Sequence, residues 1–340
     1  MDIEPHIADN FDSLIQSIRS IILNARMNVA KNINSELLLT YWQIGKLIVE
    51  KETSSKFDQK STRQLILNLS GQLTKELGTG FSRANLFNMR KFCLGYPDVQ
   101  TLSGQLNWSH YCELLIIEDR QKRDFYQKET ENSGWSFREL KRQIDSSLFE
   151  RILLSKGNTN KKTVTDLAKK GQEVTSPNDI LKDPYVFEFL GVPEKKPILE
   201  KDLEKRLIRH IEDFLLELGK GFMFVGSQQR VTINNSHHFV DMVFYNKILK
   251  SYILIELKSR KLKISDAGQL NTYLNYFKTE INDTNDNSPI GIIICAEKDE
   301  IAAEYILSGY ENNVFASRFT YVLPNKDELI KELENAMNEK

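Results

Sequence analysis

The stretches His238-Phe-Val-Asp-Met-Val-Phe-Tyr245 and Ser251-Tyr-Ile-Leu-Ile-Glu-Leu-Lys258 decide how this chain is read. Both are rich in β-branched and aromatic residues, and a short polar stretch around Asn246 and Lys247 separates them, the pattern of an antiparallel hairpin. In a symmetric hairpin the paired residue numbers have a constant sum. Since 245 + 252 = 497 and 241 + 256 = 497, Tyr245 faces Tyr252 and Asp241 faces Glu256. Side chains alternate across a strand, so Glu256 and Lys258 share the face of Asp241. Met242, Phe244, Ile253, Ile255 and Leu257 point the other way, into a core.

Two carboxylates side by side in a sheet repel, and one of them is forced toward its protonated form unless a cation lies between them. Hard oxygen donors suit Mg²⁺, with Mn²⁺ as a substitute; such an ion keeps several waters and takes one or two protein carboxylates. Asp241, Glu256 and the backbone carbonyl of Leu257 are the expected ligands. The chemistry this suits is phosphodiester hydrolysis, in which Lys258 steadies the attacking hydroxide or the charge developing on phosphorus. A solvated strand-end salt bridge between Lys258 and a carboxylate is the plainer alternative for the triplet taken by itself.

Outward from the hairpin, the apolar positions Leu203, Leu207, Ile208, Ile211, Phe214, Leu215 and Leu218 predict an amphipathic helix over 202–218. Glu204 stands in its first turns, either as a partner of the helix dipole or aimed at the carboxylates. Phe222 to Ile233 reads as a strand. Ser265 to Phe277 reads as a helix with Ser265 at its N-cap and with Gln269 and Tyr273 on one face, both candidates to contact a phosphate or an attacking water. Pro289 to Cys295 is a continuously apolar strand of the buried kind. A further helix follows it, then a short strand near 319–323.

This α-β-β-β-α-β order, with an aspartate on the second strand and E-x-K on the third, resembles the PD-(D/E)XK nuclease superfamily. The runs Leu203-Glu-Lys-Arg-Leu-Ile, Phe214-Leu-Leu-Glu-Leu-Gly-Lys-Gly-Phe222, Val240-Asp-Met-Val-Phe-Tyr245, Ile255-Glu-Leu-Lys258 and Gly268-Gln-Leu-Asn-Thr-Tyr273 are similar to those of the YhcG-like bacterial proteins. In the first half, Tyr41-Trp-Gln-Ile-Gly-Lys46, Gly80-Phe-Ser-Arg-Ala-Asn-Leu86, Leu106-Asn-Trp-Ser-His-Tyr111 and Trp135-Ser-Phe-Arg-Glu-Leu140 resemble the helical domain that accompanies those nucleases. The resemblance implies an α-helical N-terminal domain and a restriction-endonuclease-like α/β domain with a mixed sheet. It implies metal binding by Asp241 and Glu256, catalytic support from Lys258, and accessory roles for Glu204 and Gln269. Val240 replaces the proline that names the superfamily, a residue without a chemical role.

The expected divisions are a helical domain over 1–155, a basic linker over 156–181 and the nuclease domain over 182–340. The linker is suggested by a local charge excess: Arg151, Lys156, Lys161, Lys162, Lys169 and Lys170 stand against the lone Asp166. It is either a solvated connector or a phosphate-tracking arm. The chain as a whole is balanced, with 46 Lys+Arg against 47 Asp+Glu in 340 residues, so any affinity for nucleic acid depends on where charge is placed.

Ser61 to Leu77, the turn Gly78-Thr-Gly80 and a helix capped by Ser82 have helix-turn-helix spacing, which ordinary helical packing shares. Arg83, Asn85 and Arg90 there, Lys161 and Lys162 in the basic stretch, and Tyr273 are the candidate DNA contacts. Trp108, His110 and Tyr111 read as core residues. Cys93, Cys112 and Cys295 are widely spaced and read as reduced thiols, and no segment reads as a leader or membrane span, so the expected location is the cytoplasm. The expected activity is Mg²⁺-dependent DNA endonuclease, in defence against foreign DNA or in repair. Alternatives are a catalytically silent DNA-binding or assembly subunit and a component of a restriction-type complex, and a homodimer would supply two sites for double-strand cutting.

Overall fold

The computed structural model describes residues 5–98, 102–156, 160–193, 198–307, 310 and 313–338. Their contacts form two compact units, one within residues 1–123 and 130–137, the other within 124–129 and 138–340.

The first unit is built on α1 (Pro5–Ser55), α2 (Gln59–Leu77), α3 (Arg83–Gly95) and α4 (Trp108–Leu114); α5 (Arg120–Ser133) falls in both residue ranges. The apolar runs Ile15 to Val29 and Glu36 to Val49 by themselves predict two helices. No Gly or Pro stands between them, and one helix runs through. Asp58 Oδ1 accepts the Ser61 N–H at 2.8 Å and Ser82 Oγ that of Asn85 at 3.3 Å, so α2 and α3 both start at a side-chain cap. Trp108 and Tyr111 belong to an aromatic cluster with Tyr41, Phe92 and Tyr96, with ring centroids 4.7 to 5.4 Å apart. His110 is buried and bonds the Asn107 N–H and the Trp135 carbonyl. These are core residues, as their pattern indicated.

Gly45 marks the crossing of α1 and α3, where an added Cβ would lie 2.0 Å from the Met89 carbonyl oxygen. Gly45→Ala is therefore expected to destabilise the helical unit by about 1–3 kcal/mol through overpacking. Chemical denaturation followed by tryptophan fluorescence measures this, and an unchanged midpoint would show that the crossing opens without cost.

In the second unit, α6 (Phe137–Asp145), α7 (Leu148–Ser155) and α8 (Lys161–Lys170) precede β1 (Tyr185–Val186), α9 (Glu200–Arg209) and α10 (Ile211–Leu218). Then come β2 (Phe222–Ile233), β3 (Ser236–Asn246), β4 (Ser251–Lys261), α11 (Ile264–Tyr276), β5 (Ile290–Glu297), α12 (Glu300–Leu307), β6 (Asn313–Thr320) and α13 (Lys326–Asn338). The strands form one mixed sheet in the order β1-β6-β5-β4-β3-β2, with β2, β3 and β4 antiparallel and β4, β5, β6 and β1 parallel. Leu203, Leu207, Phe214 and Leu218 cover one face together with Met242, Phe244, Ile253, Ile255 and Leu257. On the other face α11 lays Leu270, Tyr273 and Leu274, with Phe277 just beyond it, over Val243, Leu254 and Ile293. Both faces are thus covered, including the one that carries the charged residues.

Several expectations shift. The helix over 202–218 is two, because His210 leaves helical geometry at φ −109° and ψ 39°. Lys263, not Ser265, occupies the N-cap of α11, and Asp266 Oδ2 accepts its N–H at 2.9 Å. The last strand lies at 313–320 rather than 319–323: Ser317 and Arg318 interrupt its apolar pattern, but parallel pairing with β5 defines it. The closing helix α13 had no counterpart in the pattern. The stretch expected as a basic linker contains α8, with Leu167 and Ala168 buried, Lys161 and Lys162 exposed, and Asn160 Oδ1 capping Thr163 N at 3.0 Å. Residues 157–159 of that stretch lie outside the described ones.

At the edge strand β1 lies a buried ion cluster. Glu217 of α10 is fully buried; Arg151 pairs with its Oε1, Arg142 Nη1 approaches its Oε2 at 3.1 Å, and the Val186 N–H donates to Oε1 at 3.0 Å. Lys182 donates to the Glu217 carbonyl, and Arg142 Nε reaches Glu188 at 2.7 Å. Burial disfavours the Glu217 charge, but Arg151, Lys182 and Arg142 outweigh it and hold the carboxyl at about 2. Residues 138–155, counted with the helical half in the sequence reading, belong by contacts to this second unit.

Candidate active site

The hairpin has the register its symmetry requires: Met242 pairs with Ile255, Phe244 with Ile253 and Tyr245 with Tyr252, each pair summing to 497. One step further the backbone ladder gives way to side chains. Asp241 Oδ2 accepts the Leu257 N–H at 2.9 Å, and the Asp241 N–H approaches Glu256 Oε1 at 3.4 Å. Lys258 Nζ lies 3.1 Å from Glu256 Oε2. Glu256 is 1% exposed and Lys258 8%, which removes the solvated-salt-bridge reading of this triplet.

Burial, then the charge of Asp241, pushes the Glu256 carboxyl up to about 7 despite the help of Lys258. Burial likewise raises Asp241, against the hydrogen bond from Leu257 and the Lys258 charge. Burial works against the Lys258 ammonium, but Glu256 and Asp241 prevail and hold it above the ordinary lysine value. The result is two carboxyls that resist ionising and one lysine committed to its charge.

Glu204, buried on α9, joins this group through a residue that sequence reasoning missed. Gln228 Nε2 donates to Glu204 Oε2 at 2.8 Å and lies 3.4 Å from Asp241 Oδ1. On β2 the flanking pairs Ser227↔Met242 and Gln229↔Val240 put Gln228 opposite Asp241, just past a register shift between Phe224 and Gly226. Its φ of 49° is left-handed, uncommon for a residue other than Gly or Asn, and follows the bulge. Burial, then Asp241, raises the Glu204 carboxyl while Gln228 lowers it. Glu200, one turn earlier on α9, accepts the Ser259 N–H at 3.1 Å. It had no signal beyond its acidic character at a helix start.

On α11, Gln269 is exposed and donates to Tyr273 Oη at 2.8 Å. Tyr273 is only 3% exposed and packs in the α11 core, which places it among the site's supporting residues rather than on an open surface. Burial raises its phenol, and Glu256, Lys258 and Asp241 all act on it. In the helical unit Arg83 is exposed. Asn85 is engaged by the Gly80 carbonyl at 2.5 Å and the Trp108 indole N–H at 2.7 Å, and Arg90 pairs with Glu52 at 2.7 Å. The last two are structural ties in this arrangement.

Among the described residues no three His, Cys, Asp or Glu side chains converge as a ready-made metal cage. The donors present nevertheless fit a hard divalent cation. Two carboxylates whose mutual repulsion a cation would relieve stand beside the Leu257 carbonyl, on the same edge of β4 as the N–H that Asp241 holds.

Comparison with known proteins bears on this geometry. Residues 178–336 match the family model of the YhcG PDDEXK nuclease domain, and residues 17–151 that of the DUF1016 N-terminal domain. The chain is 35% identical over 355 residues to YhcG of Escherichia coli (strain K12), a protein named provisionally as a nuclease, covering 95% of this chain and 93% of that one. The chain belongs to the YhcG family. Among solved structures, a repair endonuclease from Pyrococcus abyssi aligns over 39% of this chain and 50% of its own, at 19% identity and a TM-score of 0.26. EndoMS in its apo form aligns over 38% and 49%, at 16% identity and the same score. Those two scores are too low to bear on function. The helical first half and the mixed sheet of the second agree with the YhcG assignment. No described helix is long and apolar enough to cross a membrane, and Cys93, Cys112 and Cys295 are unpaired.

Proposed function

We propose that this chain is a Mg²⁺-dependent DNA endonuclease, with Mn²⁺ able to substitute, acting in the cytoplasm in defence against foreign DNA or in repair. The observation that supports it most is the row Gln228, Asp241, Glu256 and Lys258 across three adjacent strands: a buried and a half-buried carboxyl pressed together beside a lysine held charged. A purely structural ion pair has no use for the second carboxyl.

In this reading Asp241, Glu256 and the Leu257 carbonyl hold the cation. When bound, it polarises the scissile phosphate and acidifies a water molecule. Lys258, aligned by Glu256, faces the charge that develops on phosphorus. Gln228 keeps Glu204 and Asp241 apart while bonding both, and Gln269, bonded to Tyr273, borders the substrate side. The helical first unit recognises DNA or a partner, and the second unit cuts, either as a homodimer or within a restriction-type complex.

Incubating linear, supercoiled, single-stranded and branched DNA with the protein in Mg²⁺, Mn²⁺ or EDTA tests this. Cutting should require the cation; nicking that persists in EDTA, or no cutting with either metal, would sink the proposal. The exposed Lys161 and Lys162 serve as phosphate contacts, so the double Lys→Gln variant should flatten the plot of log affinity against log salt by about 1–2. An unchanged slope leaves α8 as packing alone.

A further inference from the structure

The ladder between β3 and β4 ends at Met242↔Ile255, but β2 and β3 continue past the carboxylates for five further pairs, from Gln229↔Val240 to Ile233↔Ser236. The two strands thus form a ribbon that leaves the sheet at the active site. Its tip is Asn234-Asn235, with φ of 46° and 63°, both left-handed as a tight two-residue hairpin loop requires. Its root is secured because Val231 and Val240 are fully buried, and His238 lies with its ring 6.2 Å from that of Tyr273.

The outward positions have a different character. Arg230 pairs across the ribbon with Phe239, and both are exposed, Phe239 by 47%. Phe239 is two residues from Asp241 on the same strand, about 7 Å along it. From Val225 to Val240 the chain carries Arg230, His237 and His238 and no Asp or Glu, although acidic residues number 47 overall. Ser227, Gln229, Thr232, Asn234 and Asn235 add polar groups of the kind that bond phosphates and base edges.

We infer that the ribbon 229–240 is a DNA-holding arm whose Phe239 stacks on an unpaired base next to the cut while Arg230 holds a neighbouring phosphate. The inference rests on the nuclease reading and narrows it. Bases inside a duplex already have both faces stacked, so an exposed ring this close to Asp241 finds a free face only on an unpaired nucleotide. The preferred substrate is therefore single-stranded, frayed or branched DNA, cut next to the unpaired position.

The test measures binding of labelled single-stranded, fork-shaped and blunt duplex DNA by anisotropy in Ca²⁺, and cleavage of the same DNAs in Mg²⁺. Phe239→Ala should weaken binding of single-stranded and forked DNA about 10-fold, in the range of a lost base stack, and that of blunt duplex far less. Phe239→Trp should retain binding, whereas Phe239→Leu, apolar but unable to stack equally, should not. Arg230→Ala should weaken all three DNAs and lower the salt slope by about 1. Equal binding by wild type, Phe239→Ala and Arg230→Ala overturns the arm, as does a wild type that binds none of these DNAs or a loss confined to blunt duplex. If wild type cuts nothing while Phe239→Ala still loses the unpaired DNAs selectively, the nuclease reading fails and the arm stands.

Discussion

Asp241→Asn is expected to lower the rate of DNA cleavage by at least about 10²-fold while leaving the fold intact, with Lys258→Ala reducing it by a comparable factor. The asparagine can still accept the Leu257 N–H that Asp241 holds at 2.9 Å, so the local backbone keeps its anchor. What disappears is a charge beside Glu256, whose carboxyl burial and Asp241 together push up to about 7. A carboxyl raised in the folded state binds a proton that the unfolded chain has already released. Without metal, the contribution of this carboxyl to stability is therefore expected to fall as pH rises from about 4.5 to about 7. Asp241→Asn should flatten that decline and melt no earlier than wild type in EDTA. The combination of an inactive protein with an undiminished melting temperature identifies a residue retained for chemistry. Undiminished cleavage, or a variant that simply unfolds, would each remove that assignment. Lys258→Ala should depress turnover more than DNA affinity; equal losses would make it only a phosphate contact.

Replacing Glu217 should have the largest effect on stability. Its carboxylate is fully buried with Arg151 and Arg142, and Lys182 bonds its carbonyl. Glu217→Gln leaves those cations without their counter-charge, and breaking one side of a buried pair costs about 3–5 kcal/mol. For a domain of ordinary stability that is a large part of the whole. The pH dependence has the opposite sign to that of Glu256. A carboxyl held at about 2, below its usual 4.5, contributes fully above pH 4.5 and loses that contribution as pH falls toward 2. In urea titrations, wild type and Glu217→Gln should differ less near pH 3 than at neutral pH. A neutral-pH difference below about 1 kcal/mol would show that the cluster reorganises around the loss.

The hairpin was legible because its information is local. A strand period of two and a symmetric turn determine which residues oppose one another, and every observed pair from Met242↔Ile255 to Asn246↔Ser251 keeps the sum 497. The buried strand β5 was legible for a similar reason, as an unbroken apolar run. Gln228 was not, because it reaches the carboxylates through a bulge and a left-handed backbone at a residue with no preference for either. Residue type did not disclose the internal partners of Asn85, Arg90 and Tyr273, which Trp108, Glu52 and Gln269 engage within the protein. The partners of Glu217 lie 66 and 75 positions away at Arg151 and Arg142, a separation that periodicity does not record.

The same cluster has a consequence for how such chains are cut and recombined. A fragment beginning at 178, where the nuclease-domain match begins, retains Lys182 and Glu217 but discards Arg142 and Arg151. It carries every expected catalytic residue and a buried acid without its main counter-ions. Exchange of one helical module for another, in the laboratory or in a genome, therefore has to leave residues 124–129 and everything from 138 onward with the nuclease half. A graft joined further along must bring its own pair of arginines, or the nuclease half arrives chemically complete and unable to stay folded.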